Sequence, residues 1–235
     1  MAKFAKVRER RPGLSRPRLV EAALALIDRE GVEALTMRRL AGALGVEAMS
    51  LYEYTRGKDE LLVAVAERLL EELELPLRER TGWKERIYAV VDAWLRLAEQ
   101  HPNSFPLLYR ERPFAARDLH FPEEIYAALR AAGFDEEATV TGYGAIALFV
   151  NGALMRGSPA TSGTSSRWDD APSFEPADFP RISELLPFAH PLTWRQLFDR
   201  GLSLLLAGLE LELAAAKAGR TATSATPGGE SPVSG

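Results

Sequence analysis

Cysteine is absent from the chain. That excludes disulfides, thiolate metal sites and cysteine nucleophiles, and it suits a reducing compartment such as the cytoplasm. Histidine is scarce, with only His101, His120 and His190. His101 and His190 each precede a proline, and His120 lies two residues before Pro122, so all three read as loop or helix-end residues. No H-E-x-x-H, G-x-S-x-G, phosphate-cradling loop or dinucleotide-binding glycine pattern occurs. Asp169-Asp170 and Glu123-Glu124 are adjacent rather than facing carboxylates and read as solvated charge. No enzymatic activity, metal site or cofactor is therefore expected. Long apolar runs are missing as well. The stretches near 143–155 and 202–216 read as too short, or too interrupted by Gly, Asn and Glu, to span a bilayer. The basic N-terminus is followed by no apolar run, so neither a secretory signal nor a membrane role is expected.

What is present is 235 residues of ordinary apolar and charged content, enough for a sizeable core. The net charge of −4 argues at first against a polyanionic partner, but the charge is unevenly distributed. Residues 1–20 hold seven basic groups (Lys3, Lys6, Arg8, Arg10, Arg11, Arg16, Arg18) against one acid, Glu9, while acids outnumber bases from 61 onward. A basic head on an acidic body is compatible with one nucleic-acid-facing end, and equally with a solvated terminus.

The periodicity is helical throughout, and an all-α fold is expected. Residues 1–14 read as a disordered basic arm. Ser15 can cap a helix with Pro17 in its first turn, apolar residues at Val20, Ala23, Leu24 and Ile27, and a stop at Gly31. A short helix runs from Thr36 to Gly45 and another over about 47–54. A longer one opens at Gly57-Lys58 and ends at Pro76. Further helices are expected over Trp83–Gln100, near 105–111, over Pro122–Ala132 closed by Gly133, over Asp135–Arg156 and over Pro191–Lys217. Residues 157–181 read as a mobile loop and 218–235 as a disordered tail, from their Gly, Ser, Thr and Pro content. The implied organisation is a head over 15–60 and a larger helical domain over 61–217.

Residues 37–56, MRRLAGALGVEAMSLYEYTR, form one unit. Two short helices crossing steeply need a small residue at the approach, which Ala41 supplies, and a turn residue tolerant of positive φ, which Gly45 supplies. Leu40, Leu44, Val46, Leu51 and the Tyr54 ring suit a shared core. Ala48, Met49, Ser50, Tyr52 and Glu53 are left facing outward. This is the spacing of a helix-turn-helix, although other short helical hairpins share it.

The stretch from Leu14 to about Leu73 resembles the DNA-binding domain of the TetR family. The specific marks are Leu51-Tyr52, a further aromatic at Tyr54, and K-x-E-L at Lys58–Leu61. The resemblance implies a three-helix, helix-turn-helix head joined to a helical ligand-binding and dimerisation domain. It also assigns roles. Thr36 caps the second helix and can donate to a phosphate. Arg38 reaches a phosphate or a guanine edge. Arg39 joins it or is simply a surface residue. Ala48 and Met49 can touch a thymine methyl, while Ser50 can bond a base or phosphate. Tyr52 and Tyr54 aim hydroxyls at phosphates or pack within the head, and Lys58 clamps a phosphate. With few bidentate base readers in the set, much specificity is expected from Arg38, the arm, shape and water.

The partners implied are double-stranded operator DNA, a second copy of the chain and a small-molecule effector. Small residues beside large apolar ones (Gly142, Gly144, Ala145 and Gly152; Gly201, Ala207 and Gly208) make 135–156 and 194–213 candidates for a four-helix homodimer bundle, or for ordinary intramolecular core. GYGAIALFVNGAL and WRQLFDRGLSLLLAGLELEL resemble the tetracycline-repressor class of the family. Where that class places a magnesium-ligating histidine before an R-P dipeptide, this chain has Leu108 before Arg112-Pro113. Tetracycline–magnesium is therefore not the expected ligand. Trp94, Phe105, Leu108, Tyr126 and Phe149 suit a hydrophobic or aromatic effector, or belong to the core. The competing reading of the whole chain is a helical ligand-binding or scaffold protein that does not touch DNA.

Overall fold

A computed structural model describes residues 13–75, 82–110, 119–156 and 173–224. Ten α-helices are assigned in them: α1 Arg16–Glu30, α2 Met37–Leu44, α3 Ala48–Leu51, α4 Lys58–Leu70, α5 Trp83–Gln100, α6 Leu107–Arg110, α7 His120–Ala132, α8 Glu136–Arg156, α9 Pro180–Ala189 and α10 Trp194–Ser224. There is no strand among the described residues. The chain divides into two compact units. One holds the residues up to Glu72 and the segment returning at His101; the other holds 73–100 and the chain from 118.

The first unit is built by local rules. Ser15 Oγ accepts from the Arg18 amide (3.4 Å), Pro17 lies in the first turn, and Gly31, at φ 84°, ends α1. Thr36 Oγ1 accepts from the Arg39 amide (3.2 Å) to start α2. Gly45, at φ 69° and ψ 36°, ends it in the left-handed region, where a Cβ is penalised. The next amide, Val46 N–H, reaches back to Ala41 O at 3.0 Å and closes the cap. Leu19, Ala23 and Ile27 of α1 pack with Leu40, Ala41, Leu51, Leu61, Val65 and Leu69, all buried. Because α4 supplies the last three, this unit extends past residue 60 to Glu72. The helix stops at Leu70, earlier than expected from Pro76. The Glu71 and Glu72 amides bond carbonyls three residues back, which tightens the last turn. The segment after α3 is also turn rather than helix, since α3 closes at Leu51.

In the second unit α7 packs on α5 and on α8, and α10 packs on α8. Gly133, at φ 100°, ends α7, and the Asp135 carboxylate accepts from the Ala138 amide (2.8 Å) at the start of α8. Helix α9 falls where no helix was expected: its start, Pro180, lies inside the region assigned to the 157–181 loop. Helix α10 begins at Trp194 rather than at Pro191. A capping box sets that start: Thr193 N–H donates to Gln196 Oε1 (2.9 Å) and Gln196 N–H to Thr193 Oγ1 (3.2 Å). The helix continues to Ser224, past the Lys217 end expected from sequence, so 218–224 is helical rather than tail. Residues 13–14 and 173–179 are not helical, and residues 1–12, 157–172 and 225–235 of the arm, loop and tail lie outside the described residues.

One described helix, Glu136–Met155, is long and apolar enough to cross a membrane by length and composition, contrary to the expectation from its interruptions. In the folded chain Ile146, Val150 and Leu154 of this helix are buried, as are Phe198, Leu202, Leu206 and Leu209 of α10.

Candidate nucleic-acid interface and effector unit

The outward surface of α2, α3 and the turn that follows carries Arg38, Met49 and Tyr52. Met49 is 74% exposed and Tyr52 48%. Arg38 is exposed, and its side chain makes no bond to a described residue. Ser50 is half-buried. Ala48 and the Tyr54 ring pack instead against the head core, so neither is fully outward-facing.

The other two cations assigned to this face are engaged within the fold. Arg39 pairs with Glu30 and donates to Ala34 O at 3.3 Å. Hydrogen bonds from Arg29 and then Arg39 hold the Glu30 carboxyl below the usual carboxylate range. Lys58 is half-buried, and its Nζ donates to Val32 O at 3.4 Å. Arg56 escaped the reading of the sequence because it lies in a turn rather than on either helix. Its side chain is exposed and bonds to no described residue, while its backbone N–H is held by Glu60 Oε2 at 2.7 Å. Beside it buried Thr55 donates from Oγ1 to Gly57 O at 3.0 Å, shaping the entry to α4.

The aromatic candidates separate between the two units. Trp94 is buried on Phe121, with centroids 5.0 Å apart. Tyr126 meets Tyr143 at 4.7 Å and Phe149 meets Phe198 at 5.2 Å, with Trp194 stacked on Phe198 at 5.0 Å. Phe105 and Leu108 belong to the first unit, where Phe105 packs edge-on to Tyr109 and Leu108 joins the α1–α4 core. Phe121, Tyr143, Trp194 and Phe198 were not singled out from sequence. On the same α5–α7 pair Arg86 reaches Glu124 at 3.1 Å, and its Nε is buried without a partner among the described residues. No group of three His, Cys, Asp or Glu able to hold a metal ion occurs among the described residues.

The glycines of α8 and α10 divide by environment. A Cβ on Gly201 would lie 2.6 Å from the Phe149 ring, and one on Gly142 would lie 3.4 Å from Leu129 and Leu209, so these two serve packing inside the chain. Gly144, Gly152 and Gly208 have nothing within 4 Å.

Comparison with known proteins agrees with this arrangement. The family described as "Bacterial regulatory proteins, tetR family" matches residues 19–65, and "Tetracyclin repressor-like, C-terminal domain" matches 75–213. An HTH-type transcriptional regulator of Saccharopolyspora erythraea is 32% identical over 204 residues, covering 85% of this chain and 86% of that protein. The Streptomyces coelicolor TetR family protein ActR, solved in complex with actinorhodin, superposes with a TM-score of 0.69 at 27% identity, covering 86% of this chain and 99% of that one. BioQ, solved with its natural double-stranded DNA operator, superposes with a TM-score of 0.60 at 25% identity, covering 84% and 98%. A helix-turn-helix head in one unit, an aromatic-rich helical body in the other and matches across both place the chain in the TetR family of bacterial transcriptional regulators.

Proposed function

We propose that the chain is a ligand-responsive repressor that binds a palindromic operator as a homodimer and is released by a small hydrophobic or aromatic effector. The observation that carries the DNA half is an exposed reading surface, with Arg38, Met49 and Tyr52, on a capped helical hairpin. Ser50 completes the base-side set, and Thr36 and Arg56 join it as phosphate contacts. Tyr54 and Ala48 support it from within the head. Arg39 and Lys58 are left mainly structural roles by their intramolecular bonds.

Exposed apolar residues support the homodimer. Val140, Leu148 and Met155 recur along α8, and Leu197, Leu204 and Leu211 along α10, each 56% exposed or more. Single exposed apolar residues are common, but two stripes at helical repeat spacing leave a continuous face to cover. Gly144, Gly152 and Gly208 have open space around them for a second copy's helices to approach. A two-fold dimer presents its heads to half-sites about one helical turn (~34–36 Å) apart, hence a palindrome.

The effector half rests on the Trp94–Phe121, Tyr126–Tyr143 and Phe149–Phe198 pairs and on the ligand-bound ActR structure. The unspent Arg86 Nε–H suits an effector that carries an acceptor. An effector releases DNA only through a difference in affinity between the two states of the protein.

The test is binding of the purified chain to its own upstream intergenic DNA and to selected genomic fragments, with Arg38→Ala and Tyr52→Phe alongside. Tight binding that falls steeply with salt and is weakened by Arg38→Ala is the expected result. No binding to any genomic fragment would overturn the DNA reading.

A further inference from the structure

After Glu72 the chain builds α5 in the second unit and then returns at His101 to the first. The returning segment is anchored by one imidazole. His101 Nδ1 lies 2.7 Å from Asp28 Oδ2 on α1, and Nε2 lies 2.9 Å from Glu72 Oε2 beyond the end of α4. The ring is 14% exposed. Ser104, fully buried, donates to the other Asp28 oxygen, and Asn103 Nδ2 donates to the Asp28 carbonyl at 2.8 Å. Behind Glu72 stands Arg68, 2.9 Å from its other oxygen and also paired with Glu21 of α1 and, at 3.9 Å, with Glu71. The charged groups around the ring are thus Asp28 from α1 and Glu72 from the turn after α4, with Arg68 of α4 beyond; the segment itself adds the uncharged Ser104 and Asn103. Three residues on, Leu107 is completely buried in the same core as Leu40 and Leu51.

Two ionised carboxylates only accept hydrogen bonds, so a ring bonded to both must donate from both nitrogens. A neutral imidazole donates from one and points a lone pair at the other carboxylate. We propose that His101 is a protonation-dependent clamp that docks residues 101–110 on the DNA-binding unit and thereby links operator affinity to pH. The docking half stands on geometry alone; the operator half rests on the function proposed above. When the clamp opens, Leu107 loses its anchor in the core that holds α2 and α3.

Burial is the largest single influence on the ring and pushes its pKa down. The hydrogen bonds and charges of Asp28 and Glu72 outweigh it, and the net direction is upward from the usual histidine value. Docking is therefore fully favoured below the ordinary histidine pKa of about 6.5 and weakens as pH rises through the raised value. Each unit separating the docked and undocked values corresponds to about a tenfold change in the docking equilibrium.

The experiment is hydrogen exchange on the full-length protein from pH 6 to 9, corrected for intrinsic rates, with His101→Gln and Glu72→Gln. In the wild type, protection of 101–110 falls towards alkaline pH while α1–α3 stay protected. His101→Gln shows low, pH-independent protection of the segment. Glu72→Gln keeps an acceptor but removes a charge, so the midpoint moves to lower pH, a shift that a merely structural role does not produce. Operator affinity follows the same profile in the wild type and is flat in His101→Gln. A pH-independent wild-type segment, an unmoved midpoint in Glu72→Gln, or loss of the whole unit's protection in His101→Gln at every pH overturns the clamp. Flat wild-type operator affinity beside a titrating segment overturns the operator half. Failure of the wild type to bind any genomic fragment overturns the DNA reading instead, with exchange still deciding the clamp.

Discussion

Arg38 and Arg39 are neighbours in sequence that the fold puts to different uses, so replacing each by glutamine should separate DNA binding from stability. Arg38 is exposed and bonds to no described residue. Arg38→Gln should leave stability within about 0.5 kcal/mol of wild type, as for surface changes that break no contact. It should cost about 1–3 kcal/mol per head where the guanidinium reads a guanine. If the guanidinium instead meets a phosphate, the log–log salt slope should fall by about 0.9 per head, or about 1.8 for a dimer. Arg39 is tied to Glu30 and to Ala34 O, with the two ionic side chains 47% and 30% exposed. A pair so open to solvent is screened and contributes little to stability. Arg39→Gln should therefore destabilise the head slightly and change the salt slope little. Fluorescence anisotropy on an operator duplex across a salt series, with thermal melts alongside, reads both quantities. Equal losses of affinity in the two variants, or an unchanged affinity and slope in Arg38→Gln, would refute the allocation.

Leu148→Glu combined with Leu204→Glu should convert a dimer to a folded monomer and abolish operator binding; sedimentation equilibrium showing an intact dimer would count against the α8/α10 face. Gly201→Ala forces a Cβ against Phe149 and should destabilise the second unit by about 1–3 kcal/mol, the usual cost of overpacking. Gly208→Ala meets open space in the single chain and should act only on self-association, so a lowered stability of the monomeric background would contradict that division. Thr36→Ala removes the α2 cap and should cost about 1 kcal/mol in urea unfolding; no loss would mean the cap bond is replaced by solvent. The stabilisation contributed by His101 should be complete below about pH 6.5 and decline as pH rises through its raised folded-state value, visible in urea midpoints and absent in His101→Gln.

Much of the helical order was legible because helix ends are decided within a few residues. Ser15 with Pro17, Gly31, Thr36, Gly45 and Gly133 each act through their own backbone angles or a side-chain bond to an amide three residues on. The α5 boundaries, Trp83 and Gln100, follow from the same pattern of apolar recurrence. The Thr193–Gln196 capping box was an equally local signal that the loop-rich composition before it obscured. Helix α9 is less legible: it is short, it carries Pro187 in its interior, and its apolar residues Ile182, Leu185 and Phe188 are not buried in the core, beside a Ser- and Pro-rich neighbourhood.

The sequence by itself determined the helical hairpin, its turn and the outward position of Arg38, Met49 and Tyr52, since these depend on residues inside one stretch. Only the tertiary structure decided which polar and small residues were already committed. Arg39 is held by a carboxylate 9 residues away, Lys58 by a carbonyl 26 away, and His101 by carboxylates 73 and 29 away. Gly201 is committed to a ring on another helix, while Gly208, on the same helix, is not. Caps and turns are short-range and leave a local trace. The allocation of a charge, or of the space beside a glycine, depends on which distant segments the buried apolar faces bring together, and no window along the chain contains that information.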